Sequence, residues 1–229
     1  MTRYWPRRVP GLPPGQRLLH TMPRFNDNPL RPPPAPAQPR LEISRDGARI
    51  AVLTAADLDA LRPREHRADF HCVTTWSVTG LVWTGVPLRE VLASVGVADG
   101  PYLVARGADG HRMVFVWEDA TAPDVILATG LGGSPLDVRH GAPLRLVSPS
   151  QYGYKNVKHL VSLDLRSERP KVAAKEHLRA RVAASERHPK LPSWLVTWPY
   201  RLLIPVIGRL AERTLRRWRA SDGATSRTS

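Results

Sequence analysis

Cysteine is nearly absent from this sequence, since Cys72 is the only one among its 229 residues. A single thiol excludes an internal disulfide, and it cannot by itself build a zinc or iron–sulfur site. Three uses remain for it: a small buried core residue, a nucleophile, or one soft thiolate ligand for a soft metal. Composition alone leaves all three open.

Long apolar runs are also missing. The best candidate, residues 194–210, is interrupted by Pro199, Arg201 and Pro205, whereas a membrane-spanning helix needs roughly 20 apolar residues. Near the N-terminus, the pair Arg7-Arg8 is followed by prolines and glycine instead of the apolar stretch of an export signal. We therefore expect the protein to stay in the cytoplasm, where a free thiol persists.

Negative charge is scarce at both ends of the chain. The net charge is +14, of which residues 1–40 carry +6 and residues 166–229 carry +10, while residues 41–165 carry −2. A nucleic-acid-binding domain would carry its basic surface on the fold itself, so this distribution argues against nucleic acid. The basic, tryptophan-containing end suits either a segment lying at the inner face of a membrane or a helix packed on the domain.

Composition divides the chain into three parts. Residues 1–40 contain eleven prolines and predict an extended arm. Residues 41–166 form the predicted catalytic domain, with 42% hydrophobic residues in the whole chain to supply a core. Residues 167–229 form a basic extension in which the alanine-rich stretch 171–187 predicts a helix.

The middle part is dominated by predicted strands. Apolar patterns indicate strands at 41–45, 51–53, 70–73, 102–105, 113–117, 144–147 and 160–165. Thr54 suits the cap of a helix over 55–61, Pro87 begins another that runs to about Val95, and a helical approach is expected from Thr121 towards 125–128. Strands without a regular βαβ alternation predict an α+β fold.

Two ordered motifs carry the chemistry of this sequence. The first reads Phe70-His71-Cys72-Val73-Thr74-Thr75-Trp76-Ser77 and continues through Trp83-Thr84-Gly85-Val86-Pro87-Leu88. The second reads Gly141-Ala142-Pro143-Leu144-Arg145-Leu146-Val147, followed by Tyr152-Gly153-Tyr154-Lys155-Asn156-Val157-Lys158. Together they resemble the molybdopterin-binding domain of the sulfite oxidase superfamily, especially methionine-sulfoxide reductase catalytic subunits and their short relatives, over roughly residues 12–166.

The resemblance implies a molybdenum–molybdopterin cofactor with Cys72 as the protein ligand of the metal and the catalytic residue. A thiolate is the soft anionic donor that such a metal requires. The implied cofactor contacts are Asn26, His140, Arg145, Lys155, Asn156, Val157 and Lys158, with His140 standing where the family has an asparagine. His71 is expected to be a packed or hydrogen-bonded histidine, because neighbours on a strand face opposite sides.

The same resemblance implies an oxidoreductase that moves an oxygen atom to or from a small-molecule substrate. Sulfite oxidases follow their cysteine with Ala-Gly-Asn-Arg-Arg, whereas Val73-Thr74-Thr75 follows here, which argues against sulfite. The sequence carries no haem or iron–sulfur motif, so a separate electron-transfer partner is implied. The alternative is a cofactor-free binding protein of the same fold that uses its basic ends at a membrane; metal content separates the two.

Overall fold

The computed structural model describes residues 11–13, 16–20, 22, 35–72 and 76–170, with residues 206, 209, 210, 213, 216 and 217 near the C-terminus. Those six residues are helical and exposed. The helix expected at 171–187 lies outside the described residues. Within the described part of the chain, no helix has the length and apolar character that crossing a membrane requires.

The described chain alternates between strands and short helices. The strands are β1 (Arg17–Leu18), β2 (Arg40–Arg45), β3 (Ala48–Thr54), β4 (Arg64–Cys72), β5 (Trp76–Pro87), β6 (Tyr102–Gly107), β7 (Arg112–Val116), β8 (Ile126–Leu131), β9 (Ser134–Pro135), β10 (Arg145–Val147) and β11 (Leu160–Arg166). The helices are α1 (Ala55–Ala60), α2 (Leu88–Ser94) and α3 (Trp117–Ala120), with 3-10 turns at Val138–His140 and Gly153–Lys155. This confirms the α+β class.

The strands form two mixed sheets. The first has the order β1-β5-β8-β10, with β4 paired to β5 and β9 paired to β8. The second has the order β3-β2-β11-β6-β7. Most pairs are antiparallel, but β1 runs parallel to β5 and β11 runs parallel to β2. The N-terminal arm therefore contributes a strand to the first sheet.

The described residues form two buried apolar clusters that pack against the two sheets. The larger one packs the second sheet and α1 and α2 against β8 and β10. The smaller one lies on the first sheet and includes Phe70, Cys72, Trp76 and Trp83. Burying such aromatic rings stabilises the folded state by roughly 1.5–3 kcal/mol per side chain. Because Cys72 belongs to the smaller cluster, the candidate site lies there.

The local predictions for the first helix are confirmed. The Thr54 hydroxyl accepts a hydrogen bond from the backbone N–H of Asp57, whose carboxylate accepts from the Thr54 N–H in turn, which is a capping box. This reciprocal pair satisfies two donors at the start of α1 that would otherwise have no partner within the helix. The helix then ends before Pro63, as the sequence indicates.

The predicted helical approach to residues 125–128 is wrong. Residues 126–131 form β8, which pairs with β5 on one edge and β10 on the other. The actual helix, α3, comes earlier, at Trp117–Ala120. A short apolar run such as 125–128 is compatible with either structure, and here hydrogen bonding to two neighbouring strands decides the outcome.

Candidate functional site

Cys72 is the last residue of β4, directly opposite Trp76 at the start of β5. It is 6% exposed, and its side chain belongs to the cluster that contains the stacked rings of Phe70 and Trp76, whose centroids are 5.6 Å apart. Residues 73–75, which join the two strands, lie outside the described residues. The hairpin thus places one soft donor in a dry, aromatic setting.

His71 is a hydrogen-bonded core histidine, as expected. Its Nδ1 lies 2.8 Å from the hydroxyl oxygen of Ser77, its cross-strand partner. Phe70 and Cys72, at alternate positions, share the apolar cluster instead. Burial lowers the pKa of His71 below its ordinary value, so the ring is neutral at pH 7.

Arg145 is a charged residue that is almost completely buried. It is 1% exposed, and its guanidinium carbon lies 4.9 Å from the Trp83 ring centroid and 5.6 Å from that of Phe70. Its Nη1 donates to the carbonyl oxygen of His140 over 2.7 Å, but its Nε has no partner. Burial lowers the pKa of Arg145 to about 9, which leaves the group charged at pH 7.

His140 is the last residue of the 3-10 turn at 138–140. The side chain of Asp137 caps the start of this turn by accepting a hydrogen bond from the Arg139 backbone N–H. The half-buried His140 ring has its Nε2 3.4 Å from the carbonyl oxygen of Met22 in the arm. Burial is the main cause that lowers the pKa of His140. This turn therefore connects the arm with Arg145 on β10.

Lys158 lies beside the same turn because Gly141 leaves room for it. Gly141 has a φ of 101°, and a Cβ there would lie 3.0 Å from the Cα and Cβ of Lys158. Its carbonyl oxygen also accepts from the backbone N–H of His159. Only glycine combines this backbone conformation with such close approach. The fold thus brings His140, Arg145 and Lys158 into one region.

Other predicted contacts are engaged elsewhere. The Lys155 ammonium donates to the carbonyl oxygen of Val114 and lies 5.0 Å from the Phe115 ring centroid, against the second sheet. The Asn156 carboxamide oxygen accepts from the Ser148 backbone N–H, and the Asn156 backbone N–H donates to the Gly153 carbonyl oxygen. Val157 is buried, and its carbonyl oxygen accepts from the Leu146 N–H. Asn26 lies outside the described residues.

The sequence analysis did not identify Gln16, Phe70 and Trp83 as residues that contact Cys72 or Arg145. Gln16 is 3% exposed, and its amide Nε2 donates to the carbonyl oxygen of Cys72 over 3.0 Å. The two aromatic rings enclose the Arg145 guanidinium. A glutamine just before a strand with no apolar periodicity gives no signal for such a contact, although both aromatic residues stand within the first motif.

A separate pocket of about 560 Å³ lies between the end of the arm and α1. Val138 and Ala142, which flank His140, line one wall of it, and Asp59 is the only charged residue among those lining it. None of the predicted cofactor contacts lines this pocket. Its volume suits a small molecule, but its walls do not include Cys72.

The donor set of the region fits a molybdopterin group. Cys72 supplies the single soft thiol. Arg145 supplies a buried cation, and among the described residues no carboxylate lies beside it. The Nε–H of Arg145 has no hydrogen-bond partner. A buried, uncompensated charge is costly. An anionic ligand that met this guanidinium would remove that cost, which is the kind of partner a pterin phosphate provides.

Comparison with known proteins agrees with this chemistry. The chain is 36% identical over 132 residues to the protein-methionine-sulfoxide reductase catalytic subunit MsrP of Xanthomonas campestris, covering 51% of this chain and 41% of that protein. It is 34% identical over 143 residues to the MsrP of Pseudomonas syringae, covering 52% and 42%. It is 32% identical over 118 residues to the uncharacterized oxidoreductase YuiH of Bacillus subtilis, covering 51% and 60%.

Among solved structures, the sulfane dehydrogenase SoxCD from Paracoccus pantotrophus is 28% identical, with 56% of this chain and 38% of that chain covered and a TM-score of 0.49. The chain thus spans about two fifths to three fifths of the length of the relatives it matches. Residues 30–173, more than half of the chain, match the family described as oxidoreductase molybdopterin binding domain. The expected cofactor class is confirmed, and the chain belongs to this family of molybdopterin-binding oxidoreductase domains.

Proposed function

We propose that this protein catalyses two-electron oxygen-atom transfer on a small substrate, in the manner of a sulfoxide reductase and not of a sulfite oxidase. The catalytic domain is assigned to residues 41–166, preceded by the proline-rich arm 1–40. The observation that carries the proposal is the placement of one buried thiol, Cys72, in the same aromatic cluster that contacts the buried Arg145 cation.

When bound, the molybdenum–molybdopterin group supplies the two-electron redox centre. Cys72 would hold the metal as a thiolate, and the Phe70 and Trp76 rings lie in the same buried cluster as this residue. Arg145 and Lys158 would offset the negative charge of the pterin phosphate. The His140 ring would donate or accept one hydrogen bond in the place where the family uses an asparagine.

A sulfoxide substrate agrees with the residues after Cys72. Reduction of a sulfoxide takes up two electrons and two protons and gives a sulfide and water. The sulfoxide group itself is neutral, so it offers no negative charge for an arginine cluster to bind. Val73-Thr74-Thr75 provides no such cluster. The MsrP relatives are named as protein-methionine-sulfoxide reductases, which supports the same substrate class. The electrons would come from a separate redox partner, because the chain has no haem or iron–sulfur motif.

The test is an assay of the purified native protein with two opposed reactions. Methionine sulfoxide or dimethyl sulfoxide is offered with a reduced viologen dye as electron donor, and sulfite is offered with ferricyanide as acceptor. The proposal expects dye oxidation with the sulfoxide and none with sulfite. Sulfite oxidation without sulfoxide reduction by molybdenum-containing protein would contradict it.

We also propose that the protein works in the cytoplasm, peripherally at the inner face of the membrane. The single thiol suits a reducing compartment. Residues 190–219 combine three tryptophans with a basic end, a composition that favours an anionic lipid surface. In this arrangement the C-terminal segment would place the domain beside its electron donor.

A further inference from the structure

We propose that Gln16 is a positioning residue for Cys72, acting from the N-terminal arm through the cysteine backbone. This inference rests on the proposed role of Cys72 as the metal ligand. The Gln16 Nε2 donates to the Cys72 carbonyl oxygen over 3.0 Å, across 56 residues of sequence. A buried carboxamide that bonds directly to the residue carrying the ligand thiol sets where that residue lies.

The Gln16 carboxamide is held from its other end as well. The Ser77 hydroxyl donates to the Gln16 Oε1 over 3.1 Å, and the same hydroxyl oxygen lies 2.8 Å from the His71 Nδ1. Since the hydroxyl hydrogen points to Gln16, the His71 ring donates to Ser77 through Nδ1–H. His71, Ser77 and Gln16 thus form one buried chain that ends at the Cys72 carbonyl.

Docking of the arm does not depend on this side chain. Strand β1 runs parallel to β5, with Arg17 beside Trp76 and Leu18 beside Ser77, and the Leu19 N–H donates to the Ser77 carbonyl oxygen over 2.8 Å. These are backbone contacts that any residue at position 16 leaves in place. The carboxamide therefore has a function separate from attachment of the arm, namely to complete the hydrogen bonding of the Cys72 residue.

The geometry explains why the end of β4 needs such a partner. Cys72 is the last residue of its strand and has Trp76 as its cross-strand neighbour. The last residue of a strand has fewer ladder neighbours than an interior one, so an added hydrogen bond to its buried carbonyl restrains its position. Because the thiol is attached to the same Cα, movement of this carbonyl changes the position of the sulfur. The hydrogen bond from Gln16 restricts that movement.

The experiment compares full-length Gln16→Met with wild type and with Leu18→Ala as a matched control. Methionine keeps the length of the side chain but has no carboxamide, whereas Leu18 lies on the same strand with an exposed side chain. Because Cys72 is the only thiol, its reaction with a disulfide reagent such as dithiobis-nitrobenzoate reports on one site alone. Melting temperature and molybdenum content are recorded on the same samples.

We expect Gln16→Met to increase the labelling rate of Cys72 by roughly tenfold, since each unmade buried hydrogen bond favours local opening. The Leu18→Ala rate should equal that of wild type. In molybdenum-loaded samples, Gln16→Met should also alter the paramagnetic resonance signal of the reduced metal. A second variant, Ser77→Ala, keeps the bond to Cys72 but releases the other end of the carboxamide, so it should give a smaller increase.

The inference is overturned if Gln16→Met labels no faster than wild type, or if Leu18→Ala accelerates labelling equally. It is also overturned if the increase is no larger than the loss of global stability predicts, because Gln16 would then be only structural. Should Gln16→Met fail to fold, an unchanged rate in Ser77→Ala overturns the inference in its place. Molybdenum-free wild-type protein would refute the proposed function instead, and the labelling comparison would still decide the role of Gln16.

Discussion

The guanidinium of Arg145 lies over the ring of Trp83, with its central carbon 4.9 Å from the ring centroid. The same group donates to the His140 carbonyl oxygen, so one buried cation joins β5, β10 and the turn at 138–140. Aromatic faces attract cations, but by only about 0.5–2 kcal/mol. The rings therefore offset part of the cost of burying the charge and leave the rest for an anionic ligand.

Neutralising this cationic region should release the cofactor. In the double variant Arg145→Gln, Lys158→Gln we expect most of the molybdenum to be lost, since each charge-assisted contact contributes ~1.5–3 kcal/mol. Metal-to-protein ratios in the purified protein measure the effect. Lys155→Gln is the matched control, because its ammonium is bonded to the Val114 carbonyl oxygen. Full molybdenum content in the double variant would show that the phosphate lies elsewhere.

Gly153 should be intolerant of even one methyl group. A Cβ there would lie 2.3 Å from the Phe70 Cζ, and Phe70 stacks on Trp76 beside the cysteine. Gly153→Ala should cost about 1–3 kcal/mol of stability by overpacking. Thermal melting measures it, with Gly100→Ala as control, because a Cβ there would lie 3.2 Å from its nearest neighbour, the Cδ2 of Leu165. Equal melting temperatures for the two variants would contradict this packing.

The free energy of unfolding should fall as the pH is lowered, and protonation of His140 should account for part of this fall. Burial lowers the pKa of His140 below its ordinary 6.5, so the unfolded chain takes up this proton at a higher pH than the folded protein does. The resulting stability is complete above about pH 6.5 and is lost as the pH falls towards the folded-state pKa. His140→Asn should therefore melt with a shallower pH dependence between about pH 7.5 and 5.5. Parallel profiles for variant and wild type would rule this out.

Removing residues 190–219 should weaken binding to anionic vesicles and leave molybdenum content intact. The cofactor motifs end before residue 166, and basic residues near an anionic surface contribute ~1 kcal/mol each. Vesicle flotation and thermal melting decide between the membrane and the alternative of a segment packed on the domain. A sharp loss of melting temperature in the truncated protein, together with wild-type protein that never floats, would favour packing.

Local patterns predicted much of this fold. Alternating apolar residues indicated β2, a capping threonine indicated α1, and Pro87, which lies directly before the first residue of α2, indicated that helix, because each signal depends on neighbours in sequence. The helical prediction towards residues 125–128 is wrong because a short apolar run has no period of its own. Its strand character comes from pairing with β5 and β10, which lie far away in the sequence.

The site divides in the same way. Cys72 and Arg145 stand in motifs that indicate their chemistry, and both are buried next to the Phe70 ring. Nothing in the sequence places Gln16 against the Cys72 carbonyl, since a parallel pairing across 56 residues leaves no local pattern. Nor could sequence show that the Lys155 ammonium bonds to Val114. The roles of Cys72 and Arg145 as cofactor contacts remain predictions.

The most direct test of the central claim is molybdenum X-ray absorption on the native protein and on Cys72→Ser. The exchange of sulfur for oxygen is small and should leave the fold intact, which a melting curve checks. We predict about one molybdenum per chain in the wild type, the loss of one sulfur ligand in the variant, and no remaining activity. A wild type without molybdenum, or a serine variant with the same number of sulfur ligands and full activity, would contradict the account.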